Sequence, residues 1–152
     1  MALIKDGVLA DDPWTPLDDA ADLGAADHPV ISLERWQANG AALARYNGPL
    51  GIRLKADQPP ALIAEHLARF DLVALEFPKF ADGRAFTYAR LLRERHGYTG
   101  EIRAVGDVLR DQYQFMLRCG FDAFEVADSD SLDGWRESAA EITVWYQPAV
   151  EA

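Results

Sequence analysis

The chain has 152 residues, with 15 Lys and Arg against 25 Asp and Glu, a formal net charge of −10 and a pI of about 4.6. That length predicts one domain able to bury a core without disulfides or metals, and the acidic balance argues against general nucleic-acid binding, which needs cations to neutralise phosphates. A lone cysteine, Cys119, excludes an intrachain disulfide or a thiolate-ligated cluster within one chain and suits a reducing cytoplasm, while the start lacks a secretory pattern and no apolar run approaches the ~18 residues of a membrane span.

Taken in chain order, Ala2-Leu3-Ile4 and Val8-Leu9-Ala10 flank Asp6-Gly7, a pair suited to the positive φ angles of a tight hairpin turn. Residues 11–29 read as an irregular lid or arm, with Trp14 and Leu17 expected to pin it to the core. Val30-Ile31 is a short strand, and Ser32 is placed to cap a helix running to about Tyr46, stopped by Asn47-Gly48. Leu50 to Lys55 alternates as a strand does. Pro59-Pro60 opens an expected helix through Phe70, with Leu62, Ile63, Leu67 and Phe70 on one face.

Leu72 to Phe77 is almost continuously apolar, as in a parallel strand buried on both faces, and Pro78 ends it. Ala85, Tyr88, Ala89 and Leu92 form a helical stripe that stops at Gly97. Ile102 to Gly106 is a strand. Asp107 is expected to cap a helix with the stripe Val108, Leu109, Gln112, Phe115, Met116 and Cys119, closed by Gly120. A strand over Phe121–Val126, a helix over Ser129–Ala140 and a last strand over Ile142–Gln147 complete the pattern.

Alternation at this spacing predicts one α/β domain over residues 1–152 with a mostly parallel sheet: a hairpin and irregular arm over 1–29, then a βα-repeat core over 30–148. The chain is too short for a full eight-fold barrel, which needs about 250 residues. A flavodoxin-like doubly wound sheet is the first expectation, and a half-barrel-like sheet that pairs with a second copy is the alternative.

The net charge is unevenly spread. Residues 1–29 carry one base and seven acids, residues 79–118 eight bases and five acids, and residues 119–152 one base and eight acids. The basic block is read either as solvated helix faces or as a local anion site. In parallel α/β folds ligands sit beyond the carboxyl ends of the strands. There the sequence places Lys79, Asp82 and Arg84 after one strand, Asp107, Arg110 and Asp111 after the next, and Arg53 and Lys55 at the end of an earlier one. Lys79, Arg84 and Arg110, with Asp82 beside them, are the candidate anion-binding set. The alternative is that Asp82, Asp107 and Asp111 neutralise these bases and lock the loops.

Glu76, Arg103 and Glu125 lie inside strands, where a charge is costly unless paired, so Arg103 is expected to pair with Glu76 or Glu125. Glu76 and Asp107 are the candidate acid–base residues if there is a reaction. Cys119 ends an apolar helical stripe and reads as a buried structural thiol. His28, His66 and His96 have no mutual metal spacing and read as structural or solvent-exposed. No glycine-rich phosphate loop occurs, and no cofactor is evident. Trp145 and Tyr146 are expected to cover a sheet edge or meet a partner.

Residues 77–126 carry Phe77-Pro78-Lys79-Phe80, Asp82-Gly83-Arg84, Ala89-Arg90-Leu91-Leu92-Arg93, Arg103-Ala104-Val105-Gly106-Asp107-Val108, Arg110-Asp111-Gln112 and Arg118-Cys119-Gly120-Phe121. This block resembles the bacterial domain of unknown function 934 family. The resemblance implies genes that neighbour those of sulfite or nitrite reductase and assimilatory sulfate reduction, and an oxidoreductase label that rests on that neighbourhood. It supplies no catalytic residues. Three roles follow as expectations. One is an accessory protein of sulfur assimilation binding an oxyanion, or binding a reductase-type partner through Arg90 and Arg93. The second is a small enzyme acting on an anionic molecule. The third is a structural partner subunit. Neither nucleic acid nor membrane is expected as a partner, and a homo-oligomer is left open.

Overall fold

The computed structural model describes residues 2–78 and 83–126. The helix expected over 129–140, the strand over 142–147, Lys79, Asp82, Trp145 and Tyr146 therefore lie outside the described residues. Within them eight strands form one sheet: β1 (Ala2–Lys5), β2 (Val8–Ala10), β3 (Trp14–Pro16), β4 (His28–Ser32), β5 (Gly51–Leu54), β6 (Leu72–Phe77), β7 (Glu101–Gly106) and β8 (Ala123–Val126). Their spatial order is β2-β1-β8-β7-β6-β5-β4-β3. From β3 to β8 every neighbouring pair is parallel, whereas β1 runs antiparallel to β8 and β2 antiparallel to β1.

This is a half-barrel. A doubly wound sheet reverses its strand order at a switch point, but here β3 to β8 follow chain order without reversal, so the flavodoxin-like expectation is corrected to the half-barrel architecture of the alternative. Strand alternation sends Ile31, Ile52, Leu54, Val73, Leu75, Ile102, Ala104 and Phe124 into one core with helix residues such as Trp36, Ile63, Leu92 and Met116. Ser32, Arg53, Glu76, Arg103 and Glu125 project from the opposite face, which is helix-free among the described residues.

The predicted hairpin forms as read, with Asp6 at φ 53° and Gly7 at φ 79° supplying the two positive angles of the turn. Rather than a detached arm, it is the sheet's edge, paired to β8 through β1. Helix α1 (Leu33–Ala44) is capped as predicted, because Ser32 Oγ accepts from the Arg35 N–H at 3.1 Å. The segment after Pro59-Pro60 differs: Pro60–Arg69 is a 3₁₀ helix interrupted at His66. Three residues per turn align Pro60 with Ile63 and rotate Leu62 out to solvent.

Helix α2 (Arg84–Arg90) continues into a π-helical turn, Leu91–Arg95, and buries Ala85, Tyr88, Ala89 and Leu92 as the stripe predicts. Asp107 caps no helix. Its backbone N–H donates to Phe77 O at 2.8 Å, a 3₁₀ turn follows at Arg110–Gln112, and helix α3 begins only at Tyr113 and ends at Cys119. The late start shifts the helical phase. Tyr113, Met116 and Cys119 are buried, while Leu109 and Phe115 are 48% and 45% exposed. Gly120 ends α3 at φ +113°, and a Cβ there would meet Arg93 Cγ at 2.6 Å.

The link between β2 and β3 constrains the curvature. The two strands lie at opposite edges and run in the same direction, yet only Asp11, Asp12 and Pro13 separate them. In a flat sheet of this width the edges would stand about 34 Å apart, but four Cα steps reach only about 14 Å. The sheet must curl, and the chain carries on from one edge to the other. Arg103 bolts this strap from the helix-free face. Its Nη1 donates to both Asp12 carboxylate oxygens at 3.0 Å, and its Nε and Nη2 donate to Glu101 Oε2 at 3.1 and 2.9 Å. Glu125 lies 3.4 Å from Arg103 Nη1, and Lys5 bonds Glu101 at 2.7 Å. Burial opposes the charge on Arg103, yet Asp12 and Glu101 hold its pKa above the ordinary value.

Candidate functional site

Parallel strands deliver their carboxyl ends to one rim, where ligand sites of such folds lie. At this rim β4 and β5 set Ser32 beside Arg53, and Arg53 is in register with Ala74 on β6. Glu76, two residues on, therefore shares their face and stands nearer the mouth. A cavity of about 110 Å³ opens here. Pro16, Leu17 and Val30 form its apolar wall, Ile31 borders it, and Ser32, Glu34, Arg53, Lys55 and Glu76 supply its polar groups.

The charges meet in loose pairs. Arg53 Nε and Nη2 both lie 3.2 Å from one oxygen of Glu76, Oε2. Lys55 Nζ lies 3.4 Å from Glu34 Oε1, which also accepts from Gln58 Nε2 at 2.8 Å. A bond from its own backbone N–H holds the Glu34 carboxyl below its ordinary pKa, with Gln58 and Lys55 adding to the effect. Residues 17–19 lie against the same rim. Leu17 N–H donates to Val30 O at 3.0 Å, Ser32 Oγ donates to Asp19 Oδ1 at 2.6 Å, and Arg35 Nη1 donates to Asp18 O at 3.0 Å. The arm predicted over 11–29 thus supplies part of the mouth.

The residues singled out from sequence fare differently. Glu76 is at the cavity, but its partner is Arg53; Arg103 pairs with Glu125, Glu101 and Asp12. Arg84, the first residue of α2, and Asp107 and Arg110, after β7, are exposed on the carboxyl side of two neighbouring strands. The lock of Asp107 or Asp111 on Arg110 does not form among the described residues. Arg90 is exposed, with its guanidinium carbon 5.7 Å from the centre of the Phe115 ring.

Arg93 corrects the reading that assigned it to a partner. Its guanidinium turns inward and donates to the Tyr98, Gly100 and Gly120 carbonyls and to Asp122 at 2.6 to 3.1 Å. It ties α2 to the loops before β7 and β8. Cys119 is buried as read. His28 packs edge-on against Trp14, and His66 against Trp36.

Glu34 and Asp12 escaped the sequence reading, and Leu17 was read only as pinning the arm to the core, not as lining a cavity. Glu34 and Leu17 sit in an ordinary first helical turn and an irregular arm, and only the sheet order brings them to the mouth. Arg53 and Lys55 were visible as charges ending a strand.

Fold and mouth together define a parallel-stranded α/β half-barrel protein with a mixed-charge cavity at its carboxyl rim. Among the described residues no helix is long and apolar enough to cross a membrane. The chain belongs to the family described as bacterial protein of unknown function (DUF934), whose family model matches residues 51–152. That match starts at β5 and includes Arg53, Lys55 and Glu76, while the apolar wall of the mouth precedes it. A search of the curated proteins finds no match.

Proposed function

We propose that this protein is a small-ligand-binding accessory protein whose ligand carries an anionic group, held at the mouth of the half-barrel by Arg53 and Lys55. One observation carries the reading: two cations and an apolar wall converge on a cavity of about 110 Å³ at the carboxyl ends of the parallel strands. Loops after such strands are where this architecture places binding residues. The gene neighbourhood implied by the sequence resemblance makes assimilatory sulfite reduction the setting and sulfite the first inorganic oxyanion to try. Calorimetric titration of the full chain with sulfite, sulfate and phosphate tests this. Replacing both cations, Arg53→Met with Lys55→Met, is expected to lower affinity for the bound anion at least tenfold. An affinity unchanged by the double substitution refutes the site.

A reductase-type protein partner is the second reading. Arg90 stacks on Phe115, and both are exposed on neighbouring helices, an arginine–aromatic pair of the kind that anchors interfaces. Purified sulfite reductase should be retained by the immobilised protein and lost on Arg90→Glu; equal retention by both counts against it.

A further inference from the structure

We propose that the mouth is built for a small zwitterion of the α-amino acid class, a carboxylate and an ammonium on one carbon with a short apolar side chain. The proposal rests on the reading that the mouth holds an anionic group, and adds what the rest of the ligand must be.

The mouth is balanced in charge. Arg53 and Lys55 share the cavity with Glu34 and Glu76, so the four formal charges cancel. A bare dianion would bring more negative charge to a site already holding two carboxylates. A zwitterion adds no net charge and meets a complementary group at each end. A site with fixed groups of both signs leaves one of them unmatched when a singly charged ligand enters, and that mismatch is a source of selectivity.

The resident pairs are half-used. Arg53 donates from Nε to the single oxygen Glu76 Oε2, with Nη2 in ion-pair range of the same oxygen, and Arg53 Nη1 and Glu76 Oε1 have no partner among the described residues. Lys55 approaches Glu34 only to 3.4 Å, longer than the roughly 2.7–2.9 Å of a well-made charged hydrogen bond. A ligand carboxylate can take Arg53 Nη1 and Lys55 Nζ, and its ammonium can donate to Glu76 Oε1, without breaking the Arg53–Glu76 contact. Ser32 is not needed as a donor, because its hydroxyl proton already goes to Asp19.

The cavity of about 110 Å³ is small and partly open. That suits a small amino acid such as alanine or serine, with its side chain against Leu17 and Val30. A leucine side chain would have to project beyond this wall.

The test is titration of the full chain, by calorimetry and by chemical-shift perturbation, with alanine, propionate, ethylamine, leucine and sulfite. Alanine should bind, with propionate, ethylamine and leucine each at least tenfold weaker. Arg53→Met and Glu76→Gln should each reduce alanine affinity at least tenfold. Lys55→Met, at a more exposed position, is the companion variant should either of these fail to fold. If propionate or sulfite binds as tightly as alanine and depends on Arg53, the zwitterion is overturned while the anion site stands. If alanine affinity survives Glu76→Gln, the ammonium assignment is wrong. If none of the five binds, this inference and the reading beneath it fall together.

Discussion

Replacing Arg103 by methionine tests the bolt that holds the strap across the half-barrel. The Arg103 side chain is 2% exposed and faces carboxylates from three separate places in the chain: Asp12, Glu101 and Glu125. Methionine keeps much of the length and removes the charge, leaving three acids with Lys5 as the neighbouring cation. Removing one partner from a buried ion pair costs about 3–5 kcal/mol, because the others keep their desolvation without their counter-charge. In a chain of this size each kcal/mol moves Tm by about 2–4 °C, so the expected fall is roughly 6–20 °C, read by circular dichroism. Asp12→Asn should cost much less, about 1 kcal/mol or below, because that carboxylate is a third exposed and screened by water. Adding Glu101→Gln and Glu125→Gln to Arg103→Met should recover much of the loss, since the uncompensated charges go with them. A Tm for Arg103→Met within about 2 °C of the parent, or a triple variant much less stable than the single one, refutes the reasoning.

Two further outcomes follow from backbone and burial. Gly120→Ala combines φ +113° with a Cβ placed 2.6 Å from Arg93 Cγ, so a loss of about 1–3 kcal/mol in urea denaturation is expected, and an unchanged midpoint would contradict the geometry. Burial pushes the Tyr98 phenol above its ordinary value of 10.0, against the opposing charge of Arg93. The unfolded chain therefore releases this proton first. The contribution is complete below about pH 10 and is lost as pH rises through that value toward the folded-state pKa. Tyr98→Phe forfeits the bond to Phe70 O at 3.0 Å and should be about 1 kcal/mol less stable at neutral pH. It should also lose less stability than the parent between pH 9 and 11, and parallel alkaline curves for the two proteins would sink the assignment.

Local chemistry made the hairpin, α1 and the strands other than β3 legible, because each rests on neighbours in sequence: Asp6-Gly7 for the turn, Ser32 for the cap, Leu72–Phe77 for a strand buried on both faces; β3, Trp14–Pro16, falls in the stretch read as irregular. Where phase depended on packing, the sequence pattern misled. Leu62 and Leu109 look like core residues at 3.6 residues per turn, and both are exposed because tighter 3₁₀ turns occupy those places. Charges inside strands were legible as paired, and Glu125 as one partner of Arg103, but the other partners were not. Arg103 can be matched to Asp12 only once the strap is known to cross from edge to edge, and Glu76 to Arg53 only once β5 and β6 are neighbours. Arg93 shows the same limit from the other side. In a basic block it reads as a surface cation, while in the fold three carbonyls and Asp122 claim it.

The strap also decides where function can reside. A half-barrel with two open edges would need a second copy to complete it. Here the edge strands β2 and β3 are each three residues long, Pro16 in β3 lacks an N–H, and the chain itself runs from one edge to the other. Short, proline-bearing edges are poor templates for pairing with another sheet. On the helix-free face the cluster around Arg103 sets two cations, Arg103 and Lys5, against three carboxylates beside β7, β8 and β1. Among the described residues the carboxyl rim at β4, β5 and β6 carries a cavity where Arg53, Lys55, Glu34 and Glu76 are paired loosely. The same side chains in tight pairs would be a second bolt. Their incomplete pairing around a cavity is what makes the rim, rather than the sheet edge or the basic helix faces, the place to look for a ligand.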